Sequence, residues 1–436
     1  MTYPEAVEAL TGRGRFGISL GLERIGRLLV ELDHPERALR GALVGGTNGK
    51  GSVVAFVGAV LGAAGLRVGT MPKPHLVSYR ERIAIGGVAL SPERFSAAIA
   101  RVLPVVDRVS GALGPPTEFE VLTAAAFLEL ATAQVDLALV EVGMGGRLDA
   151  TNAADLGVAA ITNVQHDHEA HLGPTLARIG AEKAPIIKRG NLAVTGASGR
   201  GLRPILDRCA AFDVPLRRAG PRQPYGAVVR ELSWEGTLVD AWTPVGRVPG
   251  LRLGLLGAHQ AANAGVALAL LDALAQRFGI EVDEATLRRG MASARWPGRM
   301  EPLDHPRFGR VLLDGAHNPA GAAALAETLA ALERRGMPLV LGAMRGKDVG
   351  ALLRALAPLR PRMVFTSVDD PRAHAPVELL RAWGRIGHGG ETVEDPVRAL
   401  ERATALRRGD EPVVVAGSLY LVGALRGVLT GDTEST

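Results

Sequence analysis

Residues 42–65 read ALVGGTNGKGSVVAFVGAVLGAAG: an apolar run, a glycine-rich loop and a helical stretch follow one another without a break. Ala42 to Gly46 suits a buried strand, and residues 52–65 have the length and composition of a helix. A glycine-rich turn between strand and helix presents backbone N–H groups to phosphate at the positive end of the helix dipole. Lys50 adds a compact charge on a flexible stem, which reaches outer phosphates where the planar fork of Arg fits poorly. The loop departs from the strict Walker A spacing. Val44 stands at the position of the first Gly, and Gly51 follows Lys50 where Ser or Thr is expected, so Ser52 is the available hydroxyl.

Lys50 is also one of only five lysines in 436 residues, among 50 basic residues in all. A chain that writes nearly every positive charge as Arg and keeps Lys at 50, 73, 183, 188 and 347 needs a primary amine at those places.

Outward from the loop, VDLALVEVG (135–143) and LGVAAITNV (156–164) are continuous apolar runs rich in β-branched residues, the pattern of buried parallel strands. YGAVVRELSWEGTLVDAW (225–242) reads as a β-hairpin with Glu235–Gly236 at its turn, and residues 257–279 as a long buried helix. Past a Pro- and Arg-rich stretch at 294–308, RVLLDG (310–315), PLVLGAM (338–344), PRMVFTS (361–367) and EPVVVAGS (411–418) read as strands of a second doubly wound unit. The expected class is α/β. A P-loop-type ATPase domain with a mainly parallel sheet spans residues 1–295, and a smaller Rossmann-like α/β domain spans 296–436.

Composition narrows the function. At 47% hydrophobic and 22% charged residues the chain is of the soluble globular kind. Its single cysteine, Cys209, excludes an internal disulfide framework and fits a reducing compartment. The opening residues lack the apolar core of a signal peptide, and no run approaches the roughly 18 apolar residues of a membrane span, so a cytoplasmic protein is expected. The net charge of +5 is scattered, with no aromatic-basic recognition module. That argues against nucleic acid and for small anionic substrates.

Other segments follow in order: RFGISLGLERIGRLL (15–29), PHLVSYRERIAIGG (74–87), PTEFEVLTAAAF (116–127), EVGMGGRLDATN (141–152), DHEAHLG (167–173), EKAPIIK (182–188), GAHQAANA (257–264), WPGR (296–299), DGAHNP (314–319) and SLY (418–420). Together with the loop they resemble the Mur ligase superfamily and, within it, the folylpolyglutamate synthases, across most of the chain. The resemblance implies an ATP-dependent ligase that joins L-glutamate to dihydropteroate, to reduced folates, or to both, in folate and one-carbon metabolism. A carboxylate resists amines until phosphoryl transfer makes it an acyl phosphate. Both steps gather negative charge that Mg²⁺ and fixed cations must offset. A strict GxxxxGK[ST] motor or switch ATPase is disfavoured by the loop itself. The few residues ahead of the loop leave no room for the nucleotide-sugar domain of a cell-wall ligase. A monomer is expected.

The resemblance also assigns roles. Gly46, Thr47, Asn48, Gly49, Lys50, Gly51, Ser52, Asn263, Arg299 and Asp314 contact ATP, and Lys50, Lys183, Arg299 and His317 are catalytic. Glu141 sits at a strand's C-terminal edge, where open α/β sheets place ligand groups. With Ser52 and His168 it would ligate Mg²⁺ at one or two sites. His166, Asp167, His168 and His171 crowd together but fit no common structural zinc pattern. Lys183, 15 residues beyond His168, matches a lysine that is carbamylated in the family and so becomes an anionic ligand or organiser for Mg²⁺, chemistry open only to a primary amine of tunable pKa. Pro185 replaces a usual Gly. Thr117 lies in the segment that handles the pterin, Ser418 would help hold glutamate, and Lys347 with Asp348 falls in a KD segment. The departure is Lys73 in PKPHL (72–76), where the family has a Ser that ligates magnesium. An ammonium cannot ligate a metal, and at 4 Å from Mg²⁺ it would be repelled by roughly 8 kcal/mol at an effective dielectric of about 20. Lys73 therefore points away, or takes up space that a metal fills elsewhere and contacts phosphate; the second is the expectation here.

Overall fold

The computed structural model describes residues 1–14, 20–387 and 389–432. Residues 15–19, which open the first of the resembling segments, lie outside them.

The first sheet has eight strands: β1 (Gly41–Gly45), β2 (Val68–Met71), β3 (Ala84–Ile85), β4 (Val88–Ala89), β5 (Leu137–Glu141), β6 (Gly157–Ile161), β7 (Leu192–Thr195) and β8 (Leu216–Arg218). Their order is β4-β3-β2-β5-β1-β6-β7-β8. From β2 to β8 all neighbours are parallel, and β3 with β4 adds an antiparallel edge. The central strands are apolar from end to end because both faces are covered. Leu43 and Val140 point into a core shared with Val121 and Phe127, while Ala42, Val44 and Leu139 point into another with Val53, Phe56 and Leu268. Helices Glu118–Thr132 and Lys50–Ala63 thus lie on opposite faces of one strand pair.

An antiparallel meander follows: β9 (Gly226–Ser233), β10 (Gly236–Thr243) and β11 (Gly246–Leu253). The expected hairpin is present, but Ser233 pairs with Gly236, so the turn is Trp234–Glu235, one residue earlier than the sequence suggested. The second sheet holds β12 (Glu301–His305), β13 (Gly309–Leu313), β14 (Pro338–Leu341), β15 (Arg362–Phe365), β16 (Gly390–Thr392) and β17 (Val413–Ala416) in the order β12-β13-β17-β14-β15-β16. It is parallel except for β12 against β13. The loops after β1 and β13 face each other across one cleft of about 740 Å³. Among the described residues no helix is long and apolar enough to cross a membrane.

Candidate active site

The loop after β1 enters helix Lys50–Ala63 through Gly49, whose φ of 81° is left-handed. A Cβ there would stand 2.2 Å from Oδ1 of Asn263, so only glycine lets the loop approach the helix Gln260–Phe278 this closely. Side chains from the segment after β6 brace the turn. The Asn48 backbone N–H donates to Asn163 Oδ1 (3.0 Å) and its side-chain amide to Gln165 Oε1 (2.7 Å). The Thr162 hydroxyl donates to the Asn48 carbonyl (2.6 Å), and the Gln165 N–H donates to Thr47 Oγ1 (3.0 Å). Lys50 curls back so that Nζ donates to the carbonyls of Gly46 (3.2 Å) and Thr47 (3.1 Å). Gly51 has a separate cause: a Cβ would lie 2.4 Å from the indole of Trp296, so the ring fills the space that a Walker A hydroxyl would need. Ser52, buried and lining the cleft, carries the hydroxyl instead.

Two lysines meet beneath the loop. Lys183 is buried, and its Nζ donates to the same Gly46 carbonyl (3.0 Å). Burial, with Lys50 acting in the same direction, pulls its pKa down to about 7. Lys188, five residues on, is a clamp rather than a site group: Nζ donates to the carbonyls of Asn152 (2.9 Å) and Ala154, and burial lowers its pKa to about 8.

Glu141 ends β5 with one carboxylate oxygen accepting the Lys73 backbone N–H (3.1 Å) and the other 3.9 Å from Lys50 Nζ. Burial raises its pKa and Lys50 draws it back. It offers hard oxygen to a cation. His168 lines the same cleft, exposed, at a left-handed φ of 51° beside Asp167. Among the described residues no three His, Cys, Asp or Glu side chains converge as a metal cage. Glu141, Ser52 and His168 all line the cleft.

The second wall is built around Asp314, which is buried and accepts the backbone N–H groups of Met300 (2.8 Å) and Ala316 (2.9 Å). Burial raises its pKa, and Arg299 lowers it. Both oxygens of Asp314 are held by backbone N–H groups, and the residue lines the cleft. Arg299 lines the cleft. His317 Nδ1 donates to the Gly315 carbonyl (2.7 Å), which leaves Nε2 an acceptor. Burial, reinforced by Arg299, lowers its pKa to about 4, so the ring is neutral near pH 7. Lys347 crosses the cleft to Asp167 (2.8 Å). Burial opposes ionisation of Asp167, but that hydrogen bond and the nearby charges of His168 and Lys347 outweigh it, and the pKa falls to about 2.

Three further residues singled out in the sequence have structural partners of their own. The Thr117 hydroxyl caps helix Glu118–Thr132 in a capping box with Glu120, so the neighbouring Glu118 and not Thr117 lines the cleft. Ser418 is buried and caps helix Leu419–Thr430, its oxygen accepting the Tyr420 N–H (3.2 Å). The Lys73 Nζ lies 3.5 Å above the ring centroid of Phe119, in the wall of the same cleft. Sequence reasoning passed over Asn163 and Gln165, whose role is visible only once β6 lies beside β1. It also missed the Tyr79–Glu118 (3.0 Å) and Arg82–His75 (2.9 Å) pairs in the cleft. Asn318 could have been found, because Asn directly before Pro is a helix-start signal. It caps helix Pro319–Ala331 and donates across the cleft to Asp167 Oδ2 (3.3 Å).

Known proteins share this arrangement. A model of the Mur ligase middle domain matches residues 44–271, and one of the Mur ligase glutamate ligase domain matches residues 298–419. The chain is 34% identical to the dihydrofolate synthase/folylpolyglutamate synthase of Bacillus subtilis, over 97% of this chain and 98% of that one. The structure of Mycobacterium tuberculosis folylpolyglutamate synthase complexed with ADP superposes with a TM-score of 0.90 at 34% identity, covering 98% of both chains. E. coli FolC in complex with DHPP and ADP superposes at 0.86, with 30% identity over 99% of this chain and 98% of that one. The chain belongs to the folylpolyglutamate synthase/dihydrofolate synthase family of Mur ligases.

Proposed function

We propose that the chain is an ATP-dependent carboxylate–amine ligase that adds L-glutamate to dihydropteroate and to reduced folates through an acyl phosphate. In this reading it works in the cytoplasm as a monomer, with residues 1–295 taking the nucleotide and 296–436 the glutamate. The observation that carries it is the cleft with two walls. The phosphate loop and Lys50 form one side, and Arg299 and His317 come from the other, so a phosphate chain between them meets cations from both. That is what a transfer that builds negative charge requires. Domain-spanning contacts such as Lys347–Asp167 would keep water from the acyl phosphate. Mg²⁺, when held by Glu141, Ser52 and His168, would add charge neutralisation on the phosphates.

Lys183 supports the carbamate reading. An amine whose pKa is near 7 is substantially neutral at neutral pH. Its lone pair can add to CO₂, forming an N–C bond and releasing one proton, so that an anion replaces a neutral amine beneath the loop. The expected mass increase is that of CO₂ on the peptide containing Lys183, measured after trapping with an alkylating agent.

The ligase reading is tested by phosphate release with ATP, Mg²⁺ and L-glutamate, adding dihydropteroate or tetrahydrofolate separately. Release with each, matched by a glutamylated product in the mass spectrum, is expected. Release with tetrahydrofolate alone would make the enzyme monofunctional. ATP binding without product in either tube would sink the reading.

A further inference from the structure

The cleft's carboxylates are already accompanied by cations of the chain. Lys50 lies beside Glu141 and Lys347 beside Asp167, and Arg299 is the charge that most favours ionised Asp314. Of the remaining carboxylates, Glu118 in the cleft is held by the Tyr79 hydroxyl, and Asp149, behind Gly143, has Lys73 nearby. A Cβ on Gly143 would stand 2.3 Å from Lys73 Nζ and 2.7 Å from Asp149 Oδ2, so ammonium and carboxylate crowd the same side of that glycine. The Phe119 ring, 3.5 Å from the ammonium, receives the charge on another side. The backbone N–H of the same residue occupies one oxygen of Glu141. Asp149 has little left to offer a metal: Oδ2 accepts the Met144 N–H (2.9 Å), and Oδ1 accepts both the N–H (3.1 Å) and hydroxyl (2.6 Å) of Thr151. A dication brought to this side of Glu141 would find few free oxygens and the space already filled by the Lys73 side chain, whose charge burial opposes and Asp149 favours.

We infer that the Lys73 amino group holds the place of a second metal ion in the cleft, and that the site accordingly takes one divalent ion with its nucleotide, with Glu141 and Ser52 as its candidate ligands, and no second. The inference rests on the nucleotide-binding part of the proposed function, not on ligation.

The test is a count of Mn²⁺ bound per nucleotide by the whole protein. The ATP analogue carries a β,γ-methylene bridge and is kept below the protein concentration, and free Mn²⁺ is read by electron paramagnetic resonance. Wild type is expected to hold one ion per nucleotide, Lys73→Arg also one, and Lys73→Ser two, because a small hydroxyl frees the space and adds an oxygen ligand. Two ions in the wild type, or one in a Lys73→Ser protein with unchanged circular dichroism, would overturn the inference. The wild-type count decides the matter even if Lys73→Ser does not fold. One ion in a wild type that makes no glutamylated product would support this inference while removing the ligase reading.

Discussion

The loops after β1 and β13 face the same cleft but are held in opposite ways. The first is braced from outside, by Thr162, Asn163, Gln165 and the close approach of Asn263, which leaves its turn to ligand. The second braces itself: Asp314 spends both oxygens on backbone N–H groups, and Asn318 caps the helix that follows. Charge divides in the same way. Lys50 and Lys183 crowd one carbonyl beneath the first loop, whereas His317 on the second is neutral. Damage to the first loop should therefore appear in turnover, and damage to the second in stability.

Lys50→Ala is the severest test. Loss of a fixed cation aimed at developing charge is expected to lower kcat by about 10³-fold with an unchanged melting temperature, read by phosphate release and calorimetry. Lys183→Arg keeps charge but cannot take up CO₂, and should lower kcat by about 10²-fold and abolish any stimulation by bicarbonate. Lys183 also sets a pH slope. Its pKa falls from 10.5 when unfolded to about 7 when folded, so between those values the unfolded chain binds more protons and this lysine's contribution to stability rises with pH. Below about pH 7 both states carry the proton and the burial cost is present in full. Lys183→Met should flatten that rise in denaturant titrations at pH 7 and 9. If the slope persists, the amine is not the group responsible.

On the second loop, Asp314→Asn would leave one backbone N–H without its carboxylate and is expected to cost about 1–3 kcal/mol of stability. The comparison fails if kcat drops a hundredfold while the unfolding midpoint stays put. Asn318→Ala, the mildest, removes a cap worth about 1 kcal/mol. Its cross-cleft bond to Asp167 predicts a small rise in KM for ATP as well.

How much of this was legible beforehand depended on whether the information was local. β1, β5, β6, β13, β14, β15 and β17 stood out as apolar runs because covered parallel strands need no polar face, whereas the edge strands β12 and β16 of the second sheet did not. β11 was not legible, since Pro249 and the charged residues of GRVPGLRL disguise a strand that is half exposed. In the site, a motif could show that a residue belongs to the cleft but not which way it faces. Thr117 and Ser418 sit within recognisable segments, yet each spends its hydroxyl on a helix terminus, a choice made by backbone geometry. Gly51 read as an oddity until Trp296, 245 positions further along, was seen against it.

None of the five lysines is exposed; four line the cleft, and Lys188 is tied to backbone carbonyls. The outer surface carries its positive charge as guanidinium, which does not react with acylating agents at neutral pH. Amine-directed modification of the native protein, whether by a laboratory reagent or by acetyl transfer in a cell, would therefore find few targets beyond the N-terminal amine. A reagent small enough to enter the cleft would label functional amines almost exclusively. The protein's surface is in effect chemically silent toward acylation, and loss of activity on such labelling would report occupancy of the cleft.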